Sequence, residues 1–237
     1  HGQAVAYAGG QLGLRSRVYM PAATPANYVH ATRGYGAEVV LPESIHTAFE
    51  KAQADEQAGW VFVHPFDDVE VIAGQGTLGL EILQDLPAAT DVVVSFGGGG
   101  MATGVATAIK SLKSDVRIWG VETEGADCMS QALAAGHLVR LEAITSIART
   151  LGAPSASELT LAAAHRFYQS VEVVSDAATL EALIFLLERA KVLTEPAAAC
   201  TWAAAQRLRD RFTPASKVVL VLCGGNFSVA DLCRLRT

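Results

Sequence analysis

The chain is short of charge. Only 18 % of its 237 residues are charged, and the balance is acidic, with a net charge of −6. Nucleic acids and anionic membrane surfaces attract basic patches, so neither is an expected partner. Cysteine is scarce: Cys128, Cys200, Cys223 and Cys233 lie far apart. The absence of a C-x-x-C pair weighs against a zinc framework, and the wide spacing fits a reduced, cytoplasmic protein. No apolar run reaches the ~18 residues of a membrane span, and no signal peptide opens the sequence. An initiator methionine is also missing; the chain opens on His1 as if inside an element. Apolar residues, by contrast, make up 51 %. That is enough for a large core, in one big domain or two smaller ones.

Strand and helix patterns alternate. Helices are expected over 1–12, 25–35, 45–56, 77–86, 101–113, 157–170, 177–190 and 197–212. Strands are expected at "SRVYMP", "GAEVVLP", "WVFVHP", "DVVVSF", "VRIWGVE", "VEVVS" and "KVVLVLCGG". Apolar, β-branched strands alternating with helices mark parallel sheets covered by helices, an α/β class. The stretch "PFDDVEV" (65–71) is polar and shows no helical stripe. It reads as a boundary between a small domain, 1–66, and a larger one, 67–237.

Four consecutive glycines, Gly97, Gly98, Gly99 and Gly100, join the apolar run "DVVVSF" to the helical "MATGVATAIKSL". Glycine keeps the backbone bare and admits positive φ. At the mouth of a helix it exposes backbone N–H groups on the positive dipole end, which makes a phosphate cradle. No Walker lysine follows, so nucleotide hydrolysis is not expected. A purely structural turn is the plainer alternative, but four adjacent glycines are entropically costly. A second glycine pair, Gly224 and Gly225, follows Cys223 at the end of another apolar run. Ligands in open α/β sheets gather outside the carboxyl ends of strands. Cys223 as a small buried hydrophobe is the alternative there. Gly97-x-Gly99-x-x-Ala102 also fits a dinucleotide fingerprint, with Glu122 at the distance of a ribose-binding acid. Spacing alone therefore permits a nicotinamide-binding domain.

The wider sequence separates these readings. "HGQAVAYAGGQLGL", "ATRGYGAEVVL", "HPFDDVEVIAGQGTLGLEIL", "SFGGGGMATG", "ETEGAD", "ITSIARTLGA", "LLERAKVLTEPAAA" and "VLCGGNFS" occur in this order. Together they resemble the serine/threonine dehydratases of the fold-type II pyridoxal-phosphate enzymes, closest to catabolic serine dehydratase, over essentially the whole chain. The resemblance implies two parallel-sheet domains of the tryptophan synthase β-like type. It implies that Gly97, Gly98, Gly99, Gly100 and Met101 hold the cofactor phosphate, and that Cys223, beside Gly224, faces the pyridine nitrogen. Glu195 and Pro196 match an element near the cofactor ring, and Thr150 matches a ring-face position usually held by alanine or glycine. Glu122 and Ala126 match a cation site. Cys128 stands where divalent-binding relatives often have a second acid, which favours potassium, because a thiol is a poor ligand for hard divalent ions.

The resemblance also implies a gap. The Schiff-base lysine of such enzymes lies upstream of the loop that binds the substrate carboxylate, and His1 follows that loop. Lys51, Lys110, Lys113, Lys191 and Lys217 match no such position, so the chain is expected to lack its N-terminal part. The intact protein is expected to be a homodimer or other homo-oligomer that converts L-serine or L-threonine to pyruvate or 2-oxobutanoate plus ammonia. No C-terminal regulatory domain is expected after Thr237. A serine racemase of the same family and a non-catalytic fragment of the fold stay open as alternatives.

Overall fold

Small residues dominate the start of the chain and wind into α1 (Gly2–Gln11). A computed structural model describes residues 1–235 and divides the chain into two compact units, His1–Pro65 and Phe66 onward. In the first, α1 is followed by β1 (Arg17–Tyr19), α2 (Ala26–Gly34), β2 (Glu38–Val40) and α3 (Ile45–Gln57). The two strands pair in parallel, with Arg17 opposite Glu38 and Tyr19 opposite Val40. Polar groups tie α3 to this sheet. Arg17 reaches Glu38 and Asp55, each at 2.8 Å, and the Tyr19 hydroxyl donates to Asp55 at 2.7 Å. Ser44 caps α3 by accepting from the Thr47 amide.

The strand expected at "WVFVHP" is not formed. Residues 60–65 carry β-branched and aromatic side chains, yet they join no ladder, and Val61 is 87 % exposed. A strand exists only by pairing. Phe62 and His64 instead gather around Phe49, with ring centroids 6.2 and 5.2 Å from it.

The second unit runs α4 (Val69–Asp85), β3 (Asp91–Ser95), α5 (Gly100–Leu112), β4 (Arg117–Thr123), α6 (Cys128–Ala135), α7 (Glu158–Phe167) and β5 (Tyr168–Val174). Next come α8 (Asp176–Phe185), a π-helical turn (Leu186–Ala190), α9 (Pro196–Arg207), β6 (Val218–Leu220) and α10 (Val229–Leu235). All four strands are parallel, in the order β5-β4-β3-β6. The order places β3 inside the sheet, and every residue of β3 is buried. Val92, Val94 and Phe96 join Val105 and Ile109 of α5 in one core layer. Val93 joins Trp119, Leu183 and Ala199 in the other. Each fully buried valine of this kind contributes about 1.5–3 kcal/mol.

Several boundaries differ from the sequence reading, and the helices expected over 177–190 and 197–212 end at Phe185 and Arg207, followed by a π-helical and a 3-10 turn. The "PFDDVEV" stretch is not featureless: Asp68 accepts from the Glu70 and Val71 amides, so α4 starts at Val69 rather than at 77. The helix from 157 stops at Phe167, and β5 takes over at Tyr168. The last strand shrinks to Val218–Leu220, and α6 and α10 are short helices that the pattern does not announce.

α4 and α5 touch main chain to main chain. A Cβ on Gly104 would stand 2.3 Å from Ile72 O and 2.7 Å from Gly76 N. Glycine is therefore required where the two helices cross.

Candidate active site at the strand ends

After β3, the Phe96 amide donates to Val121 O at 2.7 Å, and the chain then turns through the four glycines. Gly99 caps α5 with φ +99°, a left-handed conformation that glycine adopts freely, and offers no side chain to the helix. The first intrahelical bond is Thr103 N–H to Gly99 O, at 2.8 Å. The amides of Gly100, Met101 and Ala102 therefore have no helical acceptor, and they point out of the positive end of a 13-residue helix. The turn has no room for side chains. A Cβ on Gly97 would lie 3.0 Å from the Leu151 backbone, one on Gly98 2.2 Å from the Phe66 ring, and one on Gly99 2.5 Å from Phe96. Bare amides at a dipole end suit a phosphate dianion. Met101 is half-buried and lines a groove of about 420 Å³ that runs between α4 and residues 219–223.

The sheet brings a second group to the same end. Cys223 Sγ lies 3.2 Å from Ser95 Oγ, at the close of β3. The residue keeps an exposed surface, yet crowding by protein atoms raises its thiol pKa, with Ser95 pulling the other way. Both its ordinary value and this shift leave the thiol protonated at neutral pH. Behind it, Gly224 O accepts from the Glu195 amide at 3.0 Å and from the Thr194 hydroxyl at 2.6 Å. A Cβ on Gly224 would sit 2.3 Å from Glu195 Oε1, so a side chain there would displace the Glu195 carboxyl.

Glu195 precedes Pro196 at the start of α9 and is 9 % exposed. Its Oε1 accepts from the Thr150 hydroxyl at 3.0 Å. Burial raises the Glu195 carboxyl pKa, and the Thr150 bond opposes this. Thr150, Glu195, Cys223 and Gly224 thus converge, while Leu151, beside Thr150, walls the glycine turn at Gly97. Leu151, Phe66 and Ser95 were missed as site residues. Ser95 directly precedes "FGGGG"; nothing in sequence spacing points to the other two.

Glu122 and Ala126 lie one strand away. Glu122 ends no free surface: it is fully buried and accepts from the Met129 amide at 2.9 Å and the Ser130 amide at 2.7 Å. Burial pushes its carboxyl up to about 8, against the pull of those two amides. Cys128 Sγ points to Gly97 O at 3.9 Å, and burial drives its thiol up to about 12. Among the described residues, no three of His, Cys, Asp and Glu cluster as metal ligands. The lysines of this unit sit elsewhere. Lys110 binds Ser114 O, Lys113 binds Pro87 O and Ala89 O, Lys191 binds Glu188 O, and Lys217 precedes β6 at the far end of the sheet.

This parallel sheet, with a glycine turn at a helix start and a thiol at the neighbouring strand end, places the fold with the fold-type II pyridoxal-phosphate enzymes. Residues 1–224 match the model of the family described as "Pyridoxal-phosphate dependent enzyme". The chain belongs to that family. It is 42 % identical to an L-threonine ammonia-lyase of Geobacter sulfurreducens, over 98 % of this chain and 58 % of that protein. Its fold superposes on the T.th. threonine deaminase with a TM-score of 0.88 and 38 % identity, covering 96 % of this chain and 75 % of that one. Maize serine racemase gives a TM-score of 0.90 at 31 % identity, covering 99 % and 73 %. The chain thus spans less than two thirds of the length of the Geobacter relative. No described helix is long and apolar enough to cross a membrane.

Proposed function

We propose that the intact protein is a pyridoxal-phosphate-dependent ammonia-lyase acting on L-serine, L-threonine or both, as a homodimer. The carrying observation is the convergence of the Gly97–Gly100 cradle with Cys223, Gly224, Glu195 and Thr150 at one end of the sheet. The cofactor, when bound, supplies the electron sink that acidifies the α-carbon of an amino acid. The chain's own residues bind and orient. Amides of Gly100, Met101 and Ala102 would hold the phosphate, and the Cys223 thiol, kept protonated and placed 3.2 Å from Ser95 Oγ, would meet the ring nitrogen without charging it. The net chemistry would be loss of the α-proton and the β-hydroxyl together as water, with the released enamine taking up water to give the 2-oxo acid and ammonia. A monovalent cation held by the Glu122 carboxylate and the Ala126 carbonyl would have to ionise a carboxyl that burial raises to about 8, and share its two oxygens with the Met129 and Ser130 amides. The lysine that bonds the cofactor is none of the five in this chain; the four in the second unit sit away from the cradle.

The test is product formation by the intact protein. Pyruvate from L-serine and 2-oxobutanoate from L-threonine are expected, measured with a coupled reductase. D-serine in place of 2-oxo acid would instead support a racemase, the activity named for the maize neighbour. Borohydride reduction with pyridoxal phosphate and peptide mapping should find no stoichiometric adduct on Lys51, Lys110, Lys113, Lys191 or Lys217. An adduct there whose mutation abolishes turnover would overturn the lysine assignment.

A further inference from the structure

The wall of the site formed by Thr150 and Leu151 belongs to an irregular segment, and a buried polar hub holds that segment in place. Ser146 is 5 % exposed, and its Oγ lies 2.7 Å from Asp176 Oδ1 and 2.8 Å from Thr123 Oγ1. A serine hydroxyl has one proton. Given to the carboxylate, it leaves the Thr123 hydroxyl to complete the second contact. The same Oγ accepts the Ala148 amide at 3.0 Å, and Asp176 Oδ2 accepts the Ile147 amide at 3.1 Å. Just before, the Thr145 amide donates to Gly125 O at 3.1 Å. Residues 145–148 are thereby fastened to the end of β4 and the start of α8. The two wall residues follow at once, in a single turn of 3-10 helix, Arg149–Leu151.

We propose that Asp176 is a positioning residue for the candidate site: through Ser146 and the Ile147 amide it fixes Thr150 on Glu195 and Leu151 over Gly97. The inference rests on the reading of that site as the cofactor pocket. The geometry is economical. One carboxylate fastens both a side chain and a main-chain amide of the segment, and charge-assisted bonds of this type are roughly twice as strong as neutral ones. Asp176 is also the first residue of α8, where an acid favours the helix dipole. That plainer role predicts loss of helix stability and nothing at residue 150, so the two roles are separable.

Two measurements on the intact, cofactor-free protein decide between them, and neither depends on which reaction is catalysed. Arg149 is exposed, so trypsin cleavage at Arg149 reports release of the segment. Asp176→Asn should accelerate that cleavage tenfold or more. Ser146→Ala, which removes the hub hydroxyl and leaves the Asp176 carboxylate in place at the start of α8, should do the same. Ser175→Ala removes the bond that caps α8, Ala178 N–H to Ser175 Oγ, and should leave the cleavage rate unchanged. The second measurement is the titration of the Glu195 carboxyl by carbon-13 NMR, assigned with Glu195→Gln. The Thr150 bond lowers that pKa, so Thr150→Val should raise it, and Asp176→Asn should raise it likewise. If Asp176→Asn fails to fold, Ser146→Ala carries both measurements. Unchanged cleavage in a folded variant, or faster cleavage with Glu195 titrating as in the parent, would overturn the assignment. Lyase assays then test the function independently: wrong products with a positive tether result refute the pocket's chemistry and not its anchoring.

Discussion

Replacing Gly99 by alanine probes the cradle most directly. The residue sits at φ +99°, and left-handed backbone of this kind costs an L-residue about 1–2 kcal/mol. The added Cβ would also stand 2.5 Å from the Phe96 ring and 2.7 Å from Thr160 Cβ. Both neighbours are fully buried, so neither can swing into solvent. Overpacking of a filled core adds about 1–3 kcal/mol. The sum is a destabilisation of about 2–5 kcal/mol, read as a lower urea midpoint with an unchanged slope. Relief of the clash would shift the turn and, with it, the amides of residues 100–102. Affinity for pyridoxal phosphate should therefore fall tenfold or more, about 1.4 kcal/mol on the binding scale. Inorganic phosphate, which meets only the cradle, should lose affinity in parallel. The assay is fluorescence titration of folded variant against parent. A folded Gly99→Ala protein that binds both ligands as the parent does would refute the phosphate assignment.

Other outcomes follow from neighbouring contacts. Ser95→Ala removes the bond that lowers the Cys223 thiol pKa, so iodoacetamide labelling of Cys223 at a fixed neutral pH should slow, while exposed Cys233 labels as before and buried Cys128 and Cys200 stay unlabelled. Equal Cys223 rates would show that the two side chains do not interact in solution. Glu195 has a raised pKa in the fold because burial disfavours its anion. Its contribution to stability is thus present at low pH and lost as pH rises from the ordinary carboxylate value through the raised one. Glu195→Gln should flatten that part of the stability–pH curve, and an identical slope in both proteins would remove the premise. Asp91 is fully buried and accepts from Arg117 (2.8 Å), the Trp119 indole (2.9 Å) and the Thr90 hydroxyl (2.7 Å). Asp91→Ala should cost about 2–4 kcal/mol in chemical denaturation, since it strands an indole N–H and a part-buried guanidinium; a loss under about 0.5 kcal/mol, the scale of an ordinary surface change, would contradict this.

The sheet of the second unit was legible because its strands are runs of β-branched residues, and the site was legible where glycine marks a steric need. Gly97, Gly98, Gly99 and Gly224 are places where a Cβ would crowd its neighbours, and the sequence shows that as glycine. The start of α4 escaped because Gly74, Gly76 and Gly79 interrupt the apolar rhythm that signals a helix. Two of them are there for contact with α5: a Cβ on Gly79 would meet Val105 O at 2.8 Å, and one on Gly76 would meet Gly104 O at 3.3 Å. The segment 60–65 misled in the opposite sense: its composition is that of a strand, but pairing is a property of neighbours and not of composition. The Thr150 wall escaped for a related reason. Its position depends on Asp176, 26 residues downstream, and on Thr123, 27 residues upstream. No local period carries such a relation.

The crossing at Gly104 has a mechanical consequence. Most helix pairs are separated by side chains, whose rotamers absorb small errors as a gasket would. At Gly104 main chain bears on main chain, with Ile72 O and Gly76 N facing the glycine, while Ile82 and Leu78 pack by side chain on Val105 and Ile109 further along. A methyl added at Gly104 would therefore be felt as a separation of α4 from α5 and not as a change of rotamer. If the amides at the start of α5 hold an anion, as proposed, such a lesion would be expected to reach them through the helix axis, far from any ligand contact.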